Sequence, residues 1–136
     1  MQANLDEEEE AVKHYSRALD ITQELLTVCD NDGKKQILDN AFVSYLHERA
    51  KSYQAMSKLE DALSDFNEVI KRSPLNANAY FRRAFVYKMM SKLDAASEDF
   101  EKSKQLEPDN PYVTNVNVNL TSRFKLIQHI KILNKT

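Results

Sequence analysis

Cysteine, glycine and tryptophan are nearly missing from this sequence: 136 residues contain one Cys, one Gly and no Trp, alongside only three Pro. A lone Cys29 can form neither an intramolecular disulfide nor a thiolate metal site, and it suits a reducing compartment. With one glycine there is no Gly-rich phosphate loop and no Gly-x-Ser-x-Gly elbow, and no HExxH occurs. Charge of one sign is not in excess either. The net charge is −2, so no global field draws in nucleic acid or a membrane surface. No signal-peptide pattern opens the sequence, and no apolar run approaches the roughly 18 residues of a membrane span. These absences predict a soluble cytoplasmic chain long enough to bury one core without staples.

What is present is an abundance of Ala, Leu, Lys and Glu, which favours an all-helical fold, and an echo. The phrase "MSKLEDALSDF" at 56–66 returns 34 residues later as "MSKLDAASEDF" at 90–100. Ala50, Tyr53, Leu59, Ala62, Phe66 and Pro74 recur at the same interval as Ala84, Tyr87, Leu93, Ala96, Phe100 and Pro108. A fixed period of this length marks a solenoid, in which one supersecondary unit stacks on the next. Each unit reads as two helices: Tyr80, Ala84, Tyr87 and Met90 share one helical face, and Ala96, Phe100 and Ser103 share another. The alanines let paired helices approach closely while Tyr and Phe fill the gaps beside them. Pro74 and Pro108 then end the second helix of each unit, and Asn76 and Asn110 suit caps for the helices after them.

The 34-residue helix-turn-helix, its small residues at the crossing and its closing proline resemble the tetratricopeptide repeat (TPR) family. In that family's pattern Leu46 and Tyr80 take the place where Trp is frequent, and Ser57 and Ser91 the place near the turn where Gly is frequent. The resemblance implies a right-handed α-α superhelix of about six helices forming a single domain over 1–136. Its parts would be the second helix of a partial repeat plus loop (1–34), a repeat with an elongated first helix (35–76), a full repeat (77–110) and a capping helix (111–136).

Upstream, Ala11, Tyr15 and Ala18 stand in the register of Ala96, Phe100 and Ser103, and apolar periodicity runs on through Leu25, Ile37, Phe42 and Leu46. Two overlong antiparallel helices near 6–28 and 35–56 are expected, joined by "DNDGKK", with Gly33 supplying a positive φ. "DNDG" lacks the EF-hand spacing and reads as a turn. The long hairpin is similar in layout to TPR domains of large immunophilins and aryl-hydrocarbon-receptor-interacting proteins. The acids of "DEEEE" at 6–10 sit where a helix dipole favours them. At the other end, Val113, Val116, Leu120, Phe124, Ile127 and Ile130 form one helical stripe, flanked by Arg123, Lys125, Lys131 and Lys135 with no acid after Asp109. A solvated capping helix accounts for this pattern; a membrane-surface or acidic-partner contact is the alternative. With its first repeat incomplete, the chain is expected to be part of a longer protein or to complete that repeat by association.

No catalytic constellation, metal site or cofactor is predicted. The TPR resemblance implies instead a non-catalytic scaffold or co-chaperone-like module whose concave groove binds a peptide or helix. Carried over by register, the groove wall comprises Ser44, His47, Glu48, Lys51 and Gln54, then Asn78, Phe81, Arg82, Phe85 and Lys88, with Tyr112, Asn115 and Asn119 from the cap. Phe81 and Phe85 would anchor an apolar side chain, and Arg82 a backbone or carboxylate. Relatives that grip the acidic tail of Hsp70 or Hsp90 use a two-carboxylate clamp, to which Arg82 corresponds. Asn78 stands at that clamp's Lys and Glu48 at its second-unit Asn, so the clamp is incomplete. The competing reading is a structural element that self-associates through its open repeat ends.

Overall fold

A computed structural model describes residues 2–110, with side chains from residue 5 onward. Its described residues are helical throughout: α1 (Gln2–Val28), α2 (Asp32–Ala55), α3 (Leu59–Arg72), α4 (Ala77–Met89) and α5 (Leu93–Leu106). They divide into two compact units, one ending at Pro74 and one beginning at Leu75. In the first, α2 packs against both α1 and α3; in the second, α4 packs against α5. The expected sixth helix over 111–136, with Tyr112, Asn115 and Asn119, lies outside the described residues.

The α2–α3 and α4–α5 turns are built the same way. Ser57 adopts φ 59° and Ser91 φ 61°, the left-handed conformation that ends a helix. Around Ser57, the Lys58 N–H donates to the Tyr53 carbonyl at 2.9 Å and the Ser57 N–H to the Gln54 carbonyl at 3.0 Å. The Lys92–Tyr87 and Ser91–Lys88 pairs repeat this at 2.8 and 3.0 Å. This paired closure is the Schellman arrangement, and it satisfies carbonyls a helix end would leave bare. The next helix starts at once, because the carbonyls of Lys58 and Lys92 accept from Ala62 and Ala96 at 3.0 Å. Gly would relax this turn; here Ser holds it, at a conformational cost.

α3 and α5 each stop two residues before a proline. Ser73 (φ −135°, ψ 73°) and Glu107 (φ −134°, ψ 73°) have left helical space, as a following Pro requires. Asn76 then caps α4 as expected, its side chain accepting from the Ala79 N–H at 3.1 Å.

The first connection departs from the sequence expectation. Gly33 does not turn the chain: it lies inside α2, and no glycine has a positive φ. Asn31 starts the helix instead, accepting from the Lys34 N–H at 3.0 Å. An Asx cap ends the loop earlier than a Gly turn would, so the connection shrinks to residues 29–31.

The cores follow the 34-residue register. Ala50, Ala62, Phe66 and Val69 have no exposed surface, nor do Ala84, Ala96, Phe100 and Ser103. In the second unit Ala84, Ala96 and Phe100 form one cluster with Phe81, Phe85, Tyr87 and Leu93 packed against it. Where Val69 fills the first core, Ser103 must satisfy a hydroxyl, and it donates to the Ala77 carbonyl at 2.8 Å.

Replacing Ser57 or Ser91 by Gly relieves the left-handed strain. Each is expected to stabilise its unit by about 1 kcal/mol in urea denaturation, the gain in φ freedom outweighing Gly's extra unfolded entropy. Ala at the same sites keeps the strain and should give no gain.

Candidate functional site

The groove-wall positions occupy the first helix of each pair, and the period matches them two by two. Ser44 corresponds to Asn78, His47 to Phe81, Glu48 to Arg82, Lys51 to Phe85 and Gln54 to Lys88. On α2, Ser44 is exposed and Glu48, Lys51 and Gln54 are half-buried; on α4, Asn78 and Lys88 are exposed and Arg82 and Phe85 half-buried. Asn78, Arg82 and Phe85 follow at steps of four and three and share one face.

His47 is the buried member of the α2 set. Its side chain is buried, with its ring edge-on to Phe66 at 5.4 Å. Phe81, at the same register position, meets Phe100 edge-on at 5.6 Å. The position therefore serves the helix-pair core in both units. Phe85 is also committed inward, 5.2 Å from Phe100 and 5.0 Å from Phe81. Such edge-to-face triads contribute beyond their buried area, and they leave only part of each ring to face a ligand.

The two faces differ in charge. On α2, Lys51 Nζ lies 3.4 Å from Glu48, so each offsets the other. On α4, no ion pair to Arg82 is found among the described residues, and its Nε is buried without a hydrogen-bond partner. A cleft on the first unit, lined by Gln36, Asp39, Asn40, Val43, Arg72 and Ser73, offers less. Its guanidinium is already stacked 4.2 Å over the Phe42 ring and bonded to Glu68 at 2.9 Å.

Sequence reasoning missed the ion pairs that hold these faces in place. Arg49 grips Asp65 through two bonds of 2.7 and 2.8 Å, and Arg83 grips Asp99 through two of 2.6 and 2.7 Å. Both carboxylates are buried. Arg49 also donates to Ser16 Oγ at 3.0 Å and so ties α1, α2 and α3 together. Arg83 lies between Tyr80 and Tyr87, 5.6 Å from each ring. The bonds to Asp65 and Asp99 raise both guanidinium pKa values above the ordinary Arg range, against the opposing effect of burial. The stabilisation of a raised Arg pKa is present at every working pH and is lost only at extreme alkalinity. The signal was in the sequence: both pairs span 16 residues and recur after 34.

Among the described residues no His, Cys, Asp and Glu group could hold a metal ion, and no helix is long and apolar enough to cross a membrane.

Residues 77–110 match the family model of the tetratricopeptide repeat. No curated protein sequence matches the chain. Among solved structures, the first TPR of Spaghetti (RPAP3), bound to an HSP90 peptide, is 23% identical with a TM-score of 0.60, covering 91% of this chain and 92% of its own. The second TPR domain of human RPAP3, solved with an HSP70 peptide, is 23% identical with a TM-score of 0.58, covering 87% and 92%. The type III secretion chaperone SycD of Yersinia enterocolitica, in complex with a peptide of the translocator YopD, is 14% identical with a TM-score of 0.56, covering 96% and 93%. The fold is thus the all-α tetratricopeptide-repeat solenoid, and residues 77–110 are a tetratricopeptide repeat.

Replacing Asp99 by Asn strands a half-buried guanidinium and should destabilise the second unit by about 2 kcal/mol in urea denaturation. Removing both charges in Arg83→Met/Asp99→Leu should recover most of that loss, since an apolar pair leaves nothing unsatisfied.

Proposed function

We propose that this chain is a non-catalytic protein–protein interaction module, co-chaperone-like, that binds a peptide or helix along the open face of α4. The observation that carries this reading is Arg82, a cation without an ion-pair partner among the described residues, set on the line Asn78–Arg82–Phe85. Such a group recognises a carboxylate, with Asn78 and Lys88 placed to hold peptide backbone or a second oxygen. On α2, Ser44, Glu48, Lys51 and Gln54 offer a separate surface of mixed charge. His47 drops out of the site, and Phe81 contributes only the rim of its ring.

The solved relatives support this reading, since they were captured with HSP90, HSP70 and YopD peptides. An acidic chaperone-type tail is the first ligand class to try, and the cytoplasm is where such a module would act.

Fluorescence anisotropy with a labelled peptide ending in EEVD tests the reading. Arg82→Ala should weaken binding by about tenfold or more. If neither the EEVD peptide nor any member of a peptide array distinguishes Arg82→Ala from wild type, the α4 face is not the site.

A further inference from the structure

Of the three prolines, only Pro74 follows a hydroxyl side chain, in the run Lys71-Arg72-Ser73-Pro74. Ser73 is the C-cap of α3 and has already left helical space, at φ −135° and ψ 73°. Its N–H donates to the Val69 carbonyl at 2.8 Å, closing the last turn. Pro74 is exposed and Leu75 is 77% exposed, so the chain that follows the hydroxyl is open to a protein surface. Lys71 and Arg72 are exposed on the other side, in a helix end, and helix ends fray readily.

The repeat register shows that this position already carries an anion elsewhere in the fold. At the matching place in the second unit stands Glu107, before Pro108, with φ −134° and ψ 73°. Glu107 is exposed, and its carboxylate accepts from Asn110 Nδ2 at 3.1 Å. A negative group at this C-cap therefore leaves the backbone and the proline stop as they are, although the helix dipole opposes it. The first unit is neutral where the second is charged.

Ser73 also lies beside a cation that can hold a new negative charge. It shares a cleft with Arg72 and with Gln36, Asp39, Asn40 and Val43 of α2. Arg72 stacks over Phe42 and lends its Nε to Glu68 at 2.9 Å. A phosphate beside it, with more than one negative charge, is a stronger partner than that half-exposed carboxylate. Lys71 adds a second positive charge in the same turn, while Asp39 and Glu68 work against the anion.

We propose that Ser73 is a phosphorylation site of a proline-directed protein kinase, its phosphate paired with Arg72. Such a kinase selects proline by offering no acceptor to the N–H that any other residue would bring. The Ser73 Oγ attacks the γ-phosphorus of a nucleoside triphosphate held by the kinase, and the Oγ–P bond forms. The bond from that phosphorus to the bridging oxygen breaks, nucleoside diphosphate leaves, and the hydroxyl proton passes to the kinase's catalytic aspartate. The site uses none of the α4 residues assigned to peptide binding, so it stands or falls separately from that reading.

Incubating the full chain with ATP and either a mitogen-activated or a cyclin-dependent protein kinase, read by intact and tandem mass spectrometry, is the test. A single phosphate, on Ser73, is expected. Ser73→Ala and Pro74→Ala should each lose it, with helical circular dichroism unchanged. Ser73→Glu, which reproduces the Glu107 arrangement, should keep the same helical signal. Phosphorus NMR titration of the modified protein should give a lower phosphate pKa than the same titration of modified Arg72→Gln, because the cation favours the dianion. No phosphate on the folded chain with either kinase, phosphate at Ser73 only after unfolding in urea, or incorporation indifferent to Pro74→Ala overturns the site. Loss of helix in Ser73→Glu does the same, since the fold would then reject the charge. An equal phosphate pKa with and without the guanidinium overturns the pairing with Arg72.

Discussion

Ala50, Ala62, Ala84 and Ala96 have no accessible surface, and that fact governs what else each helix pair can contain. Two helices whose facing residues are methyl groups come close enough for a ring on the second helix to reach the first. Phe66 and Phe100 are those rings, each meeting a planar side chain from the partner helix. Any larger residue at the crossing would spread the helices and strand the rings. The close approach also explains why Arg49 and Arg83 can hold Asp65 and Asp99 with short paired bonds: the helices are already near enough.

A tight pair needs a tight turn, and here the turn is made with the wrong residue for comfort. Ser57 and Ser91 sit in left-handed space where glycine would rest without strain. The paired hydrogen bonds of each turn and the packing of both flanking helices over-determine the conformation, so serine is held there. Each unit carries one such turn.

Function depends on which sides of the helices the packing leaves over. The inner positions His47, Phe81 and largely Phe85 are taken by the core, and the remainder is a polar face on α2 and a cationic one on α4. The exposed flank of α1 is a second remainder, apolar and bordered by acid.

The sequence by itself determined the helix pairs, their 34-residue period, the alanine crossings, the proline stops and the Asn76 cap, because each depends on spacing or on the local chemistry of a few neighbours. Tertiary structure decided the rest. Whether His47 and Phe81 faced ligand or core could not be read from a helical wheel, since a residue at the edge of an apolar stripe turns whichever way a ring on the partner helix permits. The Arg–Asp pairs join residues 16 apart across a turn, a contact that exists only once both helices are packed. Gly33 joined a helix because Asn31 could cap it, a competition between two local devices that only the folded chain resolves.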